Sequence, residues 1–301
     1  MKIIISRKGF DLSSGGCPSP ILPDGRMISL PIPDSCSGIR YRDLNQYGIN
    51  FGDLVDQLGG SKASSGSQAH LDPDLSDEVL DRQPGWRPVF GQMKQAQGHL
   101  RKQGVTEGDL FLFFGLYQAI KKTADGWAFD RSQPKQHVLW GWMQVGQVVP
   151  VTEDTATQLP WAAYHPHIVS PDVTNNTLYL AANHLSLSGA DVEFAGAGVF
   201  PKYDSGLVLT ETGSGAAKPR VSRWRLPGWF CPYDSDFGDD SMAVRPPITY
   251  LGAAKRWQPD GETVLLDTSG RWQEAVLDTA HYPEAERWAL ELIASNAGAN
   301  T

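Results

Sequence analysis

The sequence predicts an α+β fold, with one β-rich domain over residues 1–301, a barrel-like central sheet and a closing C-terminal helix. Three observations predict it. Leu110-Phe111-Leu112-Phe113-Phe114-Gly115 is an almost unbroken apolar run entered through a Gly108-Asp109 turn, the pattern of a strand buried on both faces. After a polar excursion containing Trp127, the stretch from Val138 to Gly146 repeats that apolar content, and its spaced glycines suit bends in a curved sheet. Pro283 then opens a segment with Trp288, Leu290, Leu292 and Ile293 available for burial, the pattern of an amphipathic helix.

Length and composition set the bounds. With 301 residues, 41% of them hydrophobic, the chain can bury a large core. Acidic residues outnumber basic ones by 34 to 26, and the net charge of −8 argues against a non-specific coat on DNA, which needs phosphate neutralisation. It leaves room for a local basic patch. The ten tryptophans suit ligand pockets as well as cores. Cys17, Cys36 and Cys231 cannot all pair and form no CxxC, which fits a reducing cytoplasm. Arg7 and Lys8 cut short the apolar run Ile3 to Ile5, so no signal-peptide core forms, and no stretch reaches the length of a membrane span. The expectation is a cytoplasmic protein with no membrane partner.

The N-terminal stretch carries the first candidate site. Ile3-Ile4-Ile5 reads as a buried strand, and the chemistry changes abruptly at Ser6. Arg7, Lys8 and Asp11 leave its end, and Ser13-Ser14-Gly15-Gly16 follow as a loop with exposed backbone N–H donors. Pro18 and Pro20 stiffen the exit. Together these suit an anion or a polar ligand; an edge strand followed by an ordinary turn uses the same residues. Cys17 beside the loop is a candidate nucleophile without an identifiable histidine partner.

Further along, Phe51, Leu54, Val55 and Leu58 have helical spacing that ends at Gly59-Gly60. His70, Asp72 and Asp74 alternate, so an extended segment aims all three to one side. An isolated HxDxD lacks a complete ligand set, and a turn with an Asp cap before a short helix at Ser76 is its ordinary reading. Gly91 to Gly104 predicts a polar helix whose Gln97 and His99 are tools for reading a base or sugar edge. His165 and His167 flank Pro166 on one side of an extended frame, and a hydrogen-bonded pair at a pocket rim is preferred over a metal site. A metal would require His70, Asp72 or Asp74 as further ligands. No bound metal and no cofactor are expected. Arg223 and Arg225 alternate with Trp224, so a strand places both arginines on one face, where they suit a phosphate. Arg271, Gln273 and Glu274 stand at the lip of the apolar patch Ala275 to Leu277.

The Gly108-Asp109 turn, the strand after it and the returning strand resemble PUA-like barrels, the group that includes ASCH and EVE domains. Over nearly its full length the chain resembles the third nucleotide-modification-associated domain family of bacteria and phages. The carrying stretches are SRKGFD at Ser6 to Asp11, GGCPSPI at Gly15 to Ile21, SLPIPD at Ser29 to Asp34 and HLDPDL at His70 to Leu75. GDLFLFFG at Gly108 to Gly115, HPH at His165 to His167 and RWQEAVLD at Arg271 to Asp278 continue it. The resemblance implies a PUA-like sheet and a nucleotide or nucleic-acid partner, DNA ahead of RNA. It supplies no reaction.

The leading expectation is an enzyme acting on a modified base or nucleotide, at the base or its glycosidic bond. Lys8, Asp11 and Glu274 are its candidate catalytic residues, with a cation to polarise and an acid to exchange a proton. Arg7, Ser13, Ser14, Gly15, Gly16, Gln97, His99, His165, His167, Arg271 and Gln273 are the candidate ligand contacts. The alternative is a reader that accepts a flipped modified base without chemistry, within a phage-defence system.

Overall fold

The computed structural model describes residues 1–187, 194–212, 220–234 and 242–298. Its spine is a path of six strands in the order Glu274–Asp278, Lys2–Arg7, Leu110–Thr123, Gln136–Pro150, Thr177–Ala181 and Val89–Gln92. Three short strands, Ser19–Ile21, Gly126–Phe129 and Ala197–Val199, pair with the two long central ones. The architecture is a large mixed sheet with few helices, within the expected α+β class.

The apolar runs fold as their pattern dictates. Leu110 to Tyr117 pairs antiparallel with Gln136 to Gln144, and Ile3 pairs parallel with Leu110. The first strand is therefore central rather than an edge, antiparallel to the last strand through Ile3 and Leu277. That position buries Ile3, Ile4 and Ile5 to 1% exposure or less. The excursion around Trp127 is a hairpin strand, which returns along Ile120 to Thr123.

The sheet does not close into a barrel. Its order is a path with two ends, and each end is covered by irregular chain instead of by the other strand. Asp74 bridges to Val89 at one end, while Thr249 bonds Val276 at the other. A PUA-like closure is thus absent among the described residues.

Three helices stand out. Phe51–Gln57 is capped by Asn50, whose side chain accepts the Gly52 N–H at 2.8 Å. Lys94–Lys102 begins later than its sequence pattern, because Gly91 and Gln92 belong to the preceding strand. Glu284–Asn296 follows Pro283 and buries Ala285, Ala289, Leu292 and Ile293. No helix forms at Ser76, which leads from the Asp74 bridge into a turn at Asp77 and Glu78. The main core draws on residues from Ile3 to Ile293. Among the described residues no helix is long and apolar enough to cross a membrane.

Candidate functional site

The site grows from the sheet edge at Val89–Gln92. Asp74 and Val89 exchange two backbone hydrogen bonds, at 2.9 and 3.0 Å, which lays the segment from Asp72 to Asp74 alongside the strand. The Asp72–Pro73 peptide is cis. Asp74 is held from behind: Arg82 grips its carboxylate with two bonds of 2.7 and 2.6 Å, and the Tyr164 hydroxyl donates to the same carboxylate. Arg82 and the Trp86 indole both donate to the Tyr164 oxygen at 2.9 Å. Tyr164→Phe removes the shared atom of this network, so it is expected to lower the unfolding free energy by about 2 kcal/mol, read from urea denaturation. No change would show that the network is redundant.

Against this edge the chain gathers four ionisable groups that lie far apart in sequence. His165 and His167 sit on a short turn, Pro166–Val169, packed on the face of the edge strand where Gly91 lacks a side chain. A Cβ at position 91 would lie 2.4 Å from the His167 ring, so glycine is what lets the imidazole approach. Asp72 Oδ1 accepts the Gly91 N–H at 2.7 Å and lies 3.4 Å from His165 Nε2. Asp72 Oδ2 lies 3.8 Å from His70 Nε2 and 3.7 Å from His167 Nε2. Behind the rings, Asp34 meets His70 Nδ1 at 2.9 Å and Asn176 Oδ1 meets His167 Nδ1 at 2.6 Å. His70, Asp72 and His167 are the residues here that could hold a metal ion.

The electrostatics follow from burial and bonding. Burial opposes ionisation of Asp72, but the close approach of His165, His167 and His70 outweighs it and holds the carboxyl well below its usual range. Burial pulls His167 down to about 4, so its ring is neutral at pH 7. The hydrogen bond from His70 brings Asp34 down to about 2.

Asp72 also lines a pocket. Its wall runs from Asp72 to Ser76, and Tyr117, Trp140, Phe51, Phe200 and Ser29 face it from other elements. Trp140 Nε1 is buried without a hydrogen-bond partner, and Tyr117 Oη, beside Ser29, makes no well-formed bond. The Tyr117 and Trp140 positions follow from strand register and carry no local motif, so no pattern along the chain marks this pocket. Asp34 and Asn176 were equally hidden, since nothing in their spacing points to a histidine.

The residues expected from the sequence divide between two other places. In the N-terminal loop, Asp11 Oδ1 accepts from Ser13 N, Ser13 Oγ and Ser14 N at 2.7, 2.6 and 2.6 Å, and Arg7 pairs with Asp11 Oδ2 at 2.8 Å. The loop donors are therefore turned inward. Gly15 and Gly16 have φ of 114° and 91°, and they pack against the Phe10 ring and Gly60 O, where a Cβ would collide. Burial pushes the Cys17 thiol up to about 11, which leaves it a poor nucleophile.

The second place is buried. Lys8 Nζ lies 3.0 Å from Glu274 Oε1 and 4.5 Å over the Phe90 ring, and Gln92 Nε2 donates to the same oxygen at 2.6 Å. Glu274 Oε2 is buried without a partner. His99 approaches Thr249 Oγ1 at 3.2 Å near this pair, whereas Gln97 accepts the Tyr179 hydroxyl at 2.9 Å. Arg271 and Gln273 are exposed on the approach to Glu274. His165 and His167 alone of the expected set join Asp72. Arg223 pairs with Glu211, and Arg225 with Glu211 and Asp260, so acids partly neutralise the arginine face.

The family model described as Nucleotide modification associated domain 3 matches residues 2–278 of the chain. No curated protein and no solved structure matches it.

Proposed function

Since the chain belongs to the nucleotide modification associated domain 3 family, we propose that it binds a modified base or nucleotide in the pocket beside Asp72 and acts on it chemically. The observation that carries this reading is the pocket's combination of aromatic walls with the Asp72 carboxylate. Trp140, Tyr117 and Phe200 offer flat apolar surface to a base, and stacking of this kind contributes about 1–3 kcal/mol per base. A buried polar atom without a partner costs about 1–3 kcal/mol, so a base edge that met Trp140 Nε1 or Tyr117 Oη would recover that cost. Asp72 favours an enzyme over a reader. An ionised carboxylate on the wall, backed by histidines, can hold a cation, which recognition alone does not need.

Calorimetric titration with nucleosides and short single strands carrying modified bases tests the pocket. Trp140→Phe keeps a ring and removes the donor, so affinity is expected to fall about tenfold while the urea midpoint moves little. Equal affinity of Trp140→Phe for every ligand that the wild type binds would exclude the pocket. Mass spectrometry of DNA, RNA and nucleotides after incubation separates the two activities: a changed base or a released base marks an enzyme, and unaltered ligand a reader.

A further inference from the structure

We propose that His70, Asp72 and His167 bind one divalent first-row transition ion, with His165 as a positioning residue. The geometry of the three side chains and of the groups behind them carries the case. Asn176 Nδ2 donates to the carbonyl oxygens of His167 and Ser170, at 2.8 and 3.2 Å, so its Oδ1 is the acceptor end. The 2.6 Å contact with His167 Nδ1 then places a proton on that nitrogen. Asp34, ionised, can only accept, so the 2.9 Å contact places a proton on His70 Nδ1 too. With Nδ1 engaged, each ring has Nε2 as its remaining ligand atom.

Both Nε2 atoms face one carboxylate oxygen. His70 Nε2 and His167 Nε2 lie 3.8 and 3.7 Å from Asp72 Oδ2, beyond hydrogen-bond length. A cation placed among these atoms would be within reach of all three residues. Two ligand atoms at about 2.1 Å from a tetrahedral ion stand roughly 3.4 Å apart, so the observed spacing needs only a small adjustment. One donor atom from each of the three residues falls within 4.8 Å of the others.

The surroundings fit the same role. A metal-ligating histidine commonly donates its second ring N–H to a carboxylate or carbonyl oxygen, as His70 does to Asp34 and His167 to the Asn176 amide. Asp72 Oδ1 is already engaged by Gly91 N–H at 2.7 Å. His165 accepts the His167 N–H on Nδ1 at 3.4 Å, which leaves its proton on Nε2, and that atom stands 3.4 Å from Oδ1 on the same side. Oδ2 is thereby aimed at the two free nitrogens. Imidazole ligands select zinc or ferrous iron over magnesium or calcium, and three protein ligands leave a coordination position open. His70, at 16% side-chain exposure against 4% and 2% for Asp72 and His167, is the side from which solvent reaches it.

Untagged protein, stripped with chelator, is titrated with zinc(II) and, under anaerobic conditions, with iron(II), using a competing chromophoric chelator. One equivalent is expected to bind. Affinity should weaken at least 100-fold in His70→Ala and Asp72→Asn, and about 10- to 100-fold in Asn176→Ala, which removes only the support behind His167. Long-range nitrogen-15 NMR of the wild type covers the case of a variant that fails to fold: the Nε2 signals of His70 and His167 should move on addition of zinc(II). Absence of one-equivalent binding, equal binding by wild type and variants, or Nε2 signals that stay in place would each overturn the site. Loss of base binding in Trp140→Phe leaves this result untouched, so the two proposals fail separately.

Discussion

Lys8→Met is expected to destabilise the protein by about 3–5 kcal/mol, because it strands a buried carboxylate. Glu274 is 1% exposed at its side chain and Lys8 11%, and Lys8 supplies the positive charge at Oε1. Gln92 alone would remain to bond that oxygen, with Oε2 already unpartnered. The double variant Lys8→Met/Glu274→Gln should return to within about 1 kcal/mol of wild type, since a neutral amide keeps the Gln92 bond and needs no counter-charge. A double-mutant cycle from urea unfolding therefore should give a coupling of about 2 kcal/mol or more. Additive effects, or a Lys8→Met cost under about 1 kcal/mol, would mean that water reaches the pair.

Acid should weaken the fold through His137. The Trp224 indole donates to its Nδ1 at 2.9 Å, and Phe114 packs edge-on at 5.1 Å. Burial lowers its pKa from 6.5 to about 3, with Arg7 pushing the same way and Asp11 against. A histidine depressed in the folded state binds its proton more readily when unfolded. The stability it confers is complete above about pH 6.5 and is lost as the pH falls toward 3. Over the three units from 6.5 to 3.5 that loss amounts to about 4 kcal/mol. His137→Gln keeps an acceptor for Trp224 and cannot titrate. It should start less stable at pH 7 yet lose about 3 kcal/mol less on acidification to pH 4, measured by urea unfolding at pH 7, 5 and 4. Parallel stability curves for the two proteins would rule His137 out as the acid-sensitive group.

Local patterns were enough for the frame. Three consecutive isoleucines, the Leu110 to Gly115 run and the Val138 to Gly146 return specify strands, since such residues can be hidden only where both faces are covered. Pro283 and the apolar spacing after it specify the last helix for the same reason. The open sheet was not legible: closure depends on which ends meet, and here Asp74 and Thr249 occupy the two edges. Nor was the fate of the Ser13 to Gly16 donors, which Asp11 consumes.

HxDxD and HPH each lack a full ligand set, and nothing within either stretch predicts that Asp72 meets His165 and His167. The sheet edge does that, by holding Asp72 on Gly91 N–H and giving His167 the space of a missing Cβ. What the sequence determined by itself was which segments are buried, because burial is written in side-chain type and spacing. Which of their polar groups meet was decided only by the tertiary structure, because that depends on strand order and register between segments more than ninety residues apart.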